Sequence, residues 1–189
     1  MTGAAHLTAP PPGVTGWVVS IDMPRFETGK RSGELTGWLD MNKPPDTTRK
    51  KIEHTEIRRL WRQAAKVAYA RKRLPRRTLD RVFVLVQFQF RVGDGKHDQP
   101  NLEPTLKPIM DALQPERVVV IRKKNPRTGR VELDTQVHLG WGVIPDDGDE
   151  HLVRGQQQPK LPPLDRNSPI GGRVVLHIIP FPHPTTNTE

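Results

Sequence analysis

The fold turns on RVFVLVQFQFRVGDGKHDQPNLEPTLKPIMDALQ, residues 81–114. Its first twelve residues, 81–92, are rich in β-branched and aromatic side chains and alternate after Val86, which predicts a strand in the middle of a sheet. Glycines carry the chain out of that strand. Leu102, Leu106, Ile109 and Leu113 then recur at i, i+4, i+7 and i+11, one buried face of a helix. Lys107 and Asp111 stand one turn apart on another face. Asn101 is a good N-cap, and Pro104 suits a first turn. Pro108 cannot sit deep in a regular helix without losing a backbone bond. The helix therefore starts at a Thr105 cap or has a kinked earlier turn. Either way, Asp98 to Asn101 fall in irregular backbone at a strand end, a common place for catalytic groups in α/β sheets.

Outward from this corner, GWVVSIDMP (16–24) reads as a first strand, and a polar loop fills 25–46. Residues 47–74 are helical, with Ile57, Leu60, Trp61, Ala64 and Ala68 as one apolar stripe and Asp46 or Thr47 as cap. Downstream, 117–123 and 130–139 flank NPRTG as the arms of a β-hairpin whose tip is basic, with Arg122, Lys123, Lys124, Arg127 and Arg130. A short strand at 151–154, a Pro- and Gln-rich loop at 155–170 and a last strand at 171–181 follow. The expected fold is α/β in the α+β sense: a mixed sheet carrying two main helices, in a single domain over 16–181. Residues 1–15, rich in Pro, Gly and Thr, and the tail 182–189 are expected to be disordered.

The chain has 189 residues, a net charge of +9 and no cysteine. The missing cysteines exclude disulfides, thiolate zinc sites and cysteine nucleophiles. No long apolar run suggests a membrane span and the N-terminus lacks a secretory pattern, so a cytoplasmic protein is expected. The charge is uneven. Residues 49–91 hold fourteen Lys or Arg against Glu53, Glu56 and Asp80. On the first helix, Arg58, Arg59, Arg62, Lys66, Arg71, Lys72 and Arg73 form either a phosphate-facing ridge or a solvated face. Residues 144–151 are acidic, with Asp146, Asp147, Asp149 and Glu150.

Two acidic sources, Asp98 and the Asp146–Asp147 turn, suit magnesium if the fold brings them together, because that ion takes one or two carboxylates plus waters and substrate phosphate. Bound metal activates water against a phosphodiester, and Lys107 is placed in sequence to stabilise the developing anion. The plain alternative is that Asp98 caps a turn and that Asp-Asp-Gly is only a turn.

These residues, in this order, resemble the RusA family of Holliday-junction resolvases. The resemblance runs over about 16–181. It rests on the strand Val82 to Arg91, Asp98-Gln99-Pro100-Asn101-Leu102, Lys107, Asp111-Ala112-Leu113, Gly142 to Asp147, and Gly171-Gly172-Arg173. It implies a small mixed fold with the 117–139 hairpin as an insertion, and a homodimer on four-way DNA junctions. It also implies Mg²⁺-dependent phosphodiester cleavage, with Asp98 and Asp147 as metal-binding catalytic acids, Asp146 beside them and Lys107 as the catalytic lysine. Pro100 stands where the family has a second Asp, and Glu103, Asp146 or Asp111 would have to compensate. The alternative is a non-catalytic junction-binding protein of the same fold. Lys123, Lys124 and Arg127 on the hairpin are expected to touch DNA phosphate.

Overall fold

The structure, a computed structural model, describes residues 16–25, 37–42, 45–76, 79–93, 98–125, 127–146, 148 and 150–181. The segments 1–15 and 182–189, expected to be disordered, lie outside the described residues. The elements are β1 (Trp17–Asp22), α1 (Thr48–Arg71), β2 (Val82–Phe90), α2 (Glu103–Asp111), β3 (Arg117–Lys124), β4 (Val131–His138), β5 (Leu152–Arg154) and β6 (Gly172–Pro180). One sheet runs β1-β6-β2-β5; β3 and β4 pair only with each other. Within the four-stranded sheet β6 is antiparallel to both neighbours, while β5 is parallel to β2. The architecture is therefore the expected mixed α+β one, with both helices on one face of the sheet.

The alternation in β2 sends Val84, Val86, Phe88 and Phe90 into the core, where Val174, Leu176 and Ile178 of β6 meet them. α1 and α2 cover this layer. On α1 the buried residues are Ile57, Trp61, Ala65, Ala68 and Tyr69. Ala65 and Tyr69 thus take the places expected of Leu60 and Ala64, which are half-buried. Two polar-tipped aromatics turn the helix this way. Trp61 Nε1 donates to Gly37 O at 2.6 Å, and Tyr69 OH donates to Ile109 O at 2.8 Å. A buried phenol or indole needs such a partner. Burial also raises the Tyr69 phenol far above its ordinary pKa, so it stays a donor. Thr47 caps α1, accepting from Lys50 N at 3.3 Å.

The strand-to-helix corner is built on the kinked option. A 3-10 turn, Gln99–Leu102, precedes α2, and Pro108 sits inside the helix. Leu102, not Asn101, holds the cap position of α2, Asp98 holds that of the 3-10 turn, and neither side chain makes a capping bond. Thr105 is not a cap either. It is buried and clasps the 37–42 segment, its hydroxyl accepting from Leu39 N at 2.8 Å and donating to Leu39 O at 3.1 Å. The four expected leucine and isoleucine positions of this helix face are all buried.

The Pro- and Gln-rich loop is part of the sheet edge. Beyond β5, Gly155, Gln158, Leu161 and Leu164 donate to Val84, Val86, Phe88 and Phe90 carbonyls at 2.8 to 3.2 Å. Pro159, Pro162 and Pro163 fall between these donors, where a missing N–H costs nothing on an edge.

The hairpin leaves and rejoins the body at one neck. Trp141 N donates to Ala112 O at 2.8 Å, Gly142 N to Gln114 O at 2.9 Å and Val143 N to Leu113 O at 2.6 Å. These bonds satisfy carbonyls at the end of α2. At the tip, Asn125 Oδ1 accepts from Arg127 N and Thr128 N, and Gly129 takes φ +68.

Candidate nucleic-acid interface

α1 crosses α2 and the base of β4, and the cations of α1 divide between two surfaces. Arg58, Arg62 and Lys66, spaced four apart, face α2 and the hairpin neck; Arg71 and Lys72 line a separate groove with Ser20 and Asp22 of β1. Arg73 is exposed just beyond the helix at φ 52. The basic residues read as one ridge are thus two patches.

The first patch has a built centre. Arg62 reaches Asp111 in an ion pair whose side chains are only 18% and 14% exposed. Lys107, 66% exposed, approaches the other oxygen of Asp111 at 3.4 Å, as the one-turn spacing predicts. Arg59 holds Glu56 in a forked contact, while Lys66 reaches Glu116 at 2.6 Å. Arg58 makes no hydrogen bond or ion pair with the described residues. Four cations, Arg58, Arg59, Arg62 and Lys107, surround one cavity of about 670 Å³ with Asp111 and His138 among its lining residues. The only other carboxylate in contact with them among the described residues is Glu56. Burial, reinforced by Arg62 and Arg117, lowers the pKa of His138 below its ordinary 6.5, so the imidazole is neutral at pH 7.

The acids are arranged differently. Asp98 is exposed, and its carboxylate has no partner among the described residues. Asp146 is spent locally: its Oδ1 accepts from Gly148 N at 2.7 Å, and His151 lies 3.8 Å from its other oxygen. Asp147 lies outside the described residues. Gln99 and Pro100 line a small pocket together with Val86 and Arg154. Asp146 instead neighbours His151, whose ring meets Asp80 O at 2.7 Å just before β2 begins. Val86 lies six residues beyond Asp80 along the chain, roughly 20 Å at the usual rise. The proposed substitutes for the carboxylate replaced by Pro100 are engaged as well, Asp111 with Arg62 and Lys107, and Glu103 with Arg154. No three His, Asp or Glu side chains among the described residues group as metal ligands. Asp98 suits magnesium as a single oxygen ligand; the described acids of one chain do not complete a site around it.

On the hairpin, Lys123 and Lys124 occupy β3 opposite Glu132 and Val131, and Arg127 is exposed in the turn. Val118, Val120, Val131, Leu133 and Val137, at 54–68% exposure, share one face of the hairpin with Arg122 and Thr135, which makes that face largely aliphatic beside the basic tip. Sequence reading missed His138, Leu139 and the cavity they line, because nothing local marks them; α2 and β4 meet there through tertiary contact.

No helix among the described residues is long and apolar enough to cross a membrane. No protein-family model matches the chain, and neither the curated proteins nor the solved structures contain a significant match.

Proposed function

We propose that the protein is a RusA-like, Mg²⁺-dependent endodeoxyribonuclease that hydrolyses phosphodiesters in four-way junctions or other branched DNA. The carrying observation is the basic cavity, where Arg58, Arg59 and Arg62 from one helix meet Lys107 from another, four cations against two carboxylates among the described residues. Such a surplus attracts the phosphate backbone without reading sequence. Lys107 carries its ammonium at the mouth of that cavity, where it can stabilise charge that develops on a scissile phosphate. Asp98 offers an exposed carboxylate just before the 3-10 turn that leads into α2. In this reading Mg²⁺ would be held by Asp98 and Asp147 with waters and substrate phosphate, and would supply an activated water. A second reading, a junction-binding protein without chemistry, is favoured by Pro100 and by the engagement of Asp146 within its own turn.

One assay separates them. A synthetic four-way junction is incubated with the protein in Mg²⁺ and in EDTA. Paired, metal-dependent nicks are expected, lost in Asp98→Asn and Asp147→Asn and slowed about 100-fold in Lys107→Ala. Tight binding with no nick in Mg²⁺ refutes the nuclease and supports the binder. In either case Arg58→Ala should reduce the slope of log affinity against log salt by about 0.9.

The second expected partner is another copy of the chain, through the aliphatic face of the hairpin. Five branched side chains left at 54–68% exposure on a two-stranded ribbon form a patch that monomeric surfaces rarely carry. Two copies related by a two-fold axis bring identical faces together. Sedimentation equilibrium should give twice the chain mass for the wild type and a monomer for Leu133→Lys combined with Val120→Lys. A wild type that stays monomeric at tens of micromolar rules this interface out.

A further inference from the structure

Leu60 and Ala64 belong to the apolar stripe that helical spacing assigns to the core, yet α1 leaves them half-buried. With Val67, which is 43% exposed, they floor a groove of about 440 Å³ between α1 and the outer edge of β1. That edge is open. Met23 N donates to Gly172 O at 2.9 Å, and bonding direction alternates along an antiparallel strand, so Val19 and Ile21 also bond toward β6. The backbone groups of Val18, Ser20 and Asp22 therefore point away from the sheet, and they pair with none of the described residues. Edge strands are usually blunted by Lys, Pro or a bulge. WVVSID has neither Lys nor Pro, and its register with β6 runs unbroken. A strand laid on this edge turns alternate side chains onto Leu60, Ala64 and Val67.

The groove also sets the charge of its occupant. Arg25, Arg71 and Lys72 line it, and none makes a hydrogen bond or ion pair with the described residues. Asp22, the one acid among the lining residues, is engaged by Arg173 at 2.7 Å. The Leu60 end lies toward Arg25, because Trp61 donates to Gly37 O and Gly37 abuts Met23 and Pro24. Arg71 stands eleven residues further along α1, roughly 16 Å, the span of about five extended residues. A second copy of the same surface brings more unpaired cations and no free acid, so it does not complement the groove.

The geometry points to a docking site for an extended acidic segment of a partner protein. The segment adds as a strand beside β1, sets alternate apolar side chains on Leu60, Ala64 and Val67, and places its acids at Arg25, Arg71 and Lys72.

Fluorescence anisotropy of the full chain tests this with a set of short labelled peptides. Each has acidic ends, with Val, Ile, Leu or Phe alternating with Thr between them; the counterparts carry lysine ends. At least one acidic probe should bind about tenfold more tightly than its lysine counterpart. N-methylation of its edge-facing amides should abolish binding. Arg71→Glu combined with Lys72→Glu, both at exposed positions, should reverse the preference, and Val67→Gln should weaken the acidic probe. Amide exchange of Val18, Ser20 and Asp22 should be fast in the free chain and slow with the probe. No binding by any probe at millimolar concentration, or equal binding of the lysine-ended peptides, overturns the inference. Edge amides already protected in the free chain overturn it too: the occupant is then a second copy if protection rises with concentration, and the chain itself if it does not. If the charge reversal weakens four-way junction binding but leaves the acidic probes unchanged, these cations serve DNA and the docking site falls. Neither Asp98 nor Lys107 enters the peptide measurements, so their outcome is independent of the nuclease reading.

Discussion

Asp111→Ala should cost about 3–5 kcal/mol of stability, read as a drop in the urea midpoint. Among the described residues Asp111 is the only acid in contact with Arg62, and the pair is largely shielded from water. Removing the carboxylate leaves a guanidinium with one nitrogen already unpartnered, in a cavity shared with Arg58, Arg59 and Lys107. The penalty is that of an uncompensated buried charge together with like-charge repulsion, and it exceeds the net worth of the pair itself. The double variant Arg62→Leu with Asp111→Leu should therefore recover most of the loss. A cost below about 1 kcal/mol for Asp111→Ala would show that water screens the pair as on an open surface.

This ion pair also marks the boundary of what the sequence makes legible. The one-turn spacing of Lys107 and Asp111 is local, and it is found as expected. The partner that matters more, Arg62, lies 49 residues away on another helix. Periodicity places it only on a charged face. The same holds along the chain. β2 and β6 and the buried face of α2 are readable because alternation and helical spacing report burial directly. Asn101 and Thr105 were credible caps on residue type. The corner instead uses a 3-10 turn and spends Thr105 on Leu39, a contact across 66 residues. The prolines at 159, 162 and 163 mark the segment as loop, yet its other residues complete the edge of β2. Pro100 was legible as a threat to metal binding; that Asp146 folds onto its own turn was open only as a general property of Asp-Asp-Gly.

Gly140→Ala should destabilise the protein by about 3 kcal/mol, near the upper end for overpacking, although it adds one methyl group. A Cβ there would lie 2.1 Å from Gln114 O and 2.8 Å from both the carbonyl carbon and oxygen of Pro115. Those atoms are backbone, so no side chain can rotate away. Relief requires 140–143 to move off the end of α2, which breaks the bonds to Ala112, Leu113 and Gln114 and drags the buried Val143 and Ile144. Gly93→Ala gives the contrast. Nothing lies within 4 Å of its Cβ, and only its φ of +92 resists, at about 1 kcal/mol. If the proposed function holds, the larger loss at Gly140 should come with weaker junction binding, because His138 and Leu139 line the cavity from the two positions before it. A Gly140→Ala protein as stable as Gly93→Ala would mean that the neck yields without cost, and the hairpin would then be a loosely tethered arm rather than one wall of the cavity.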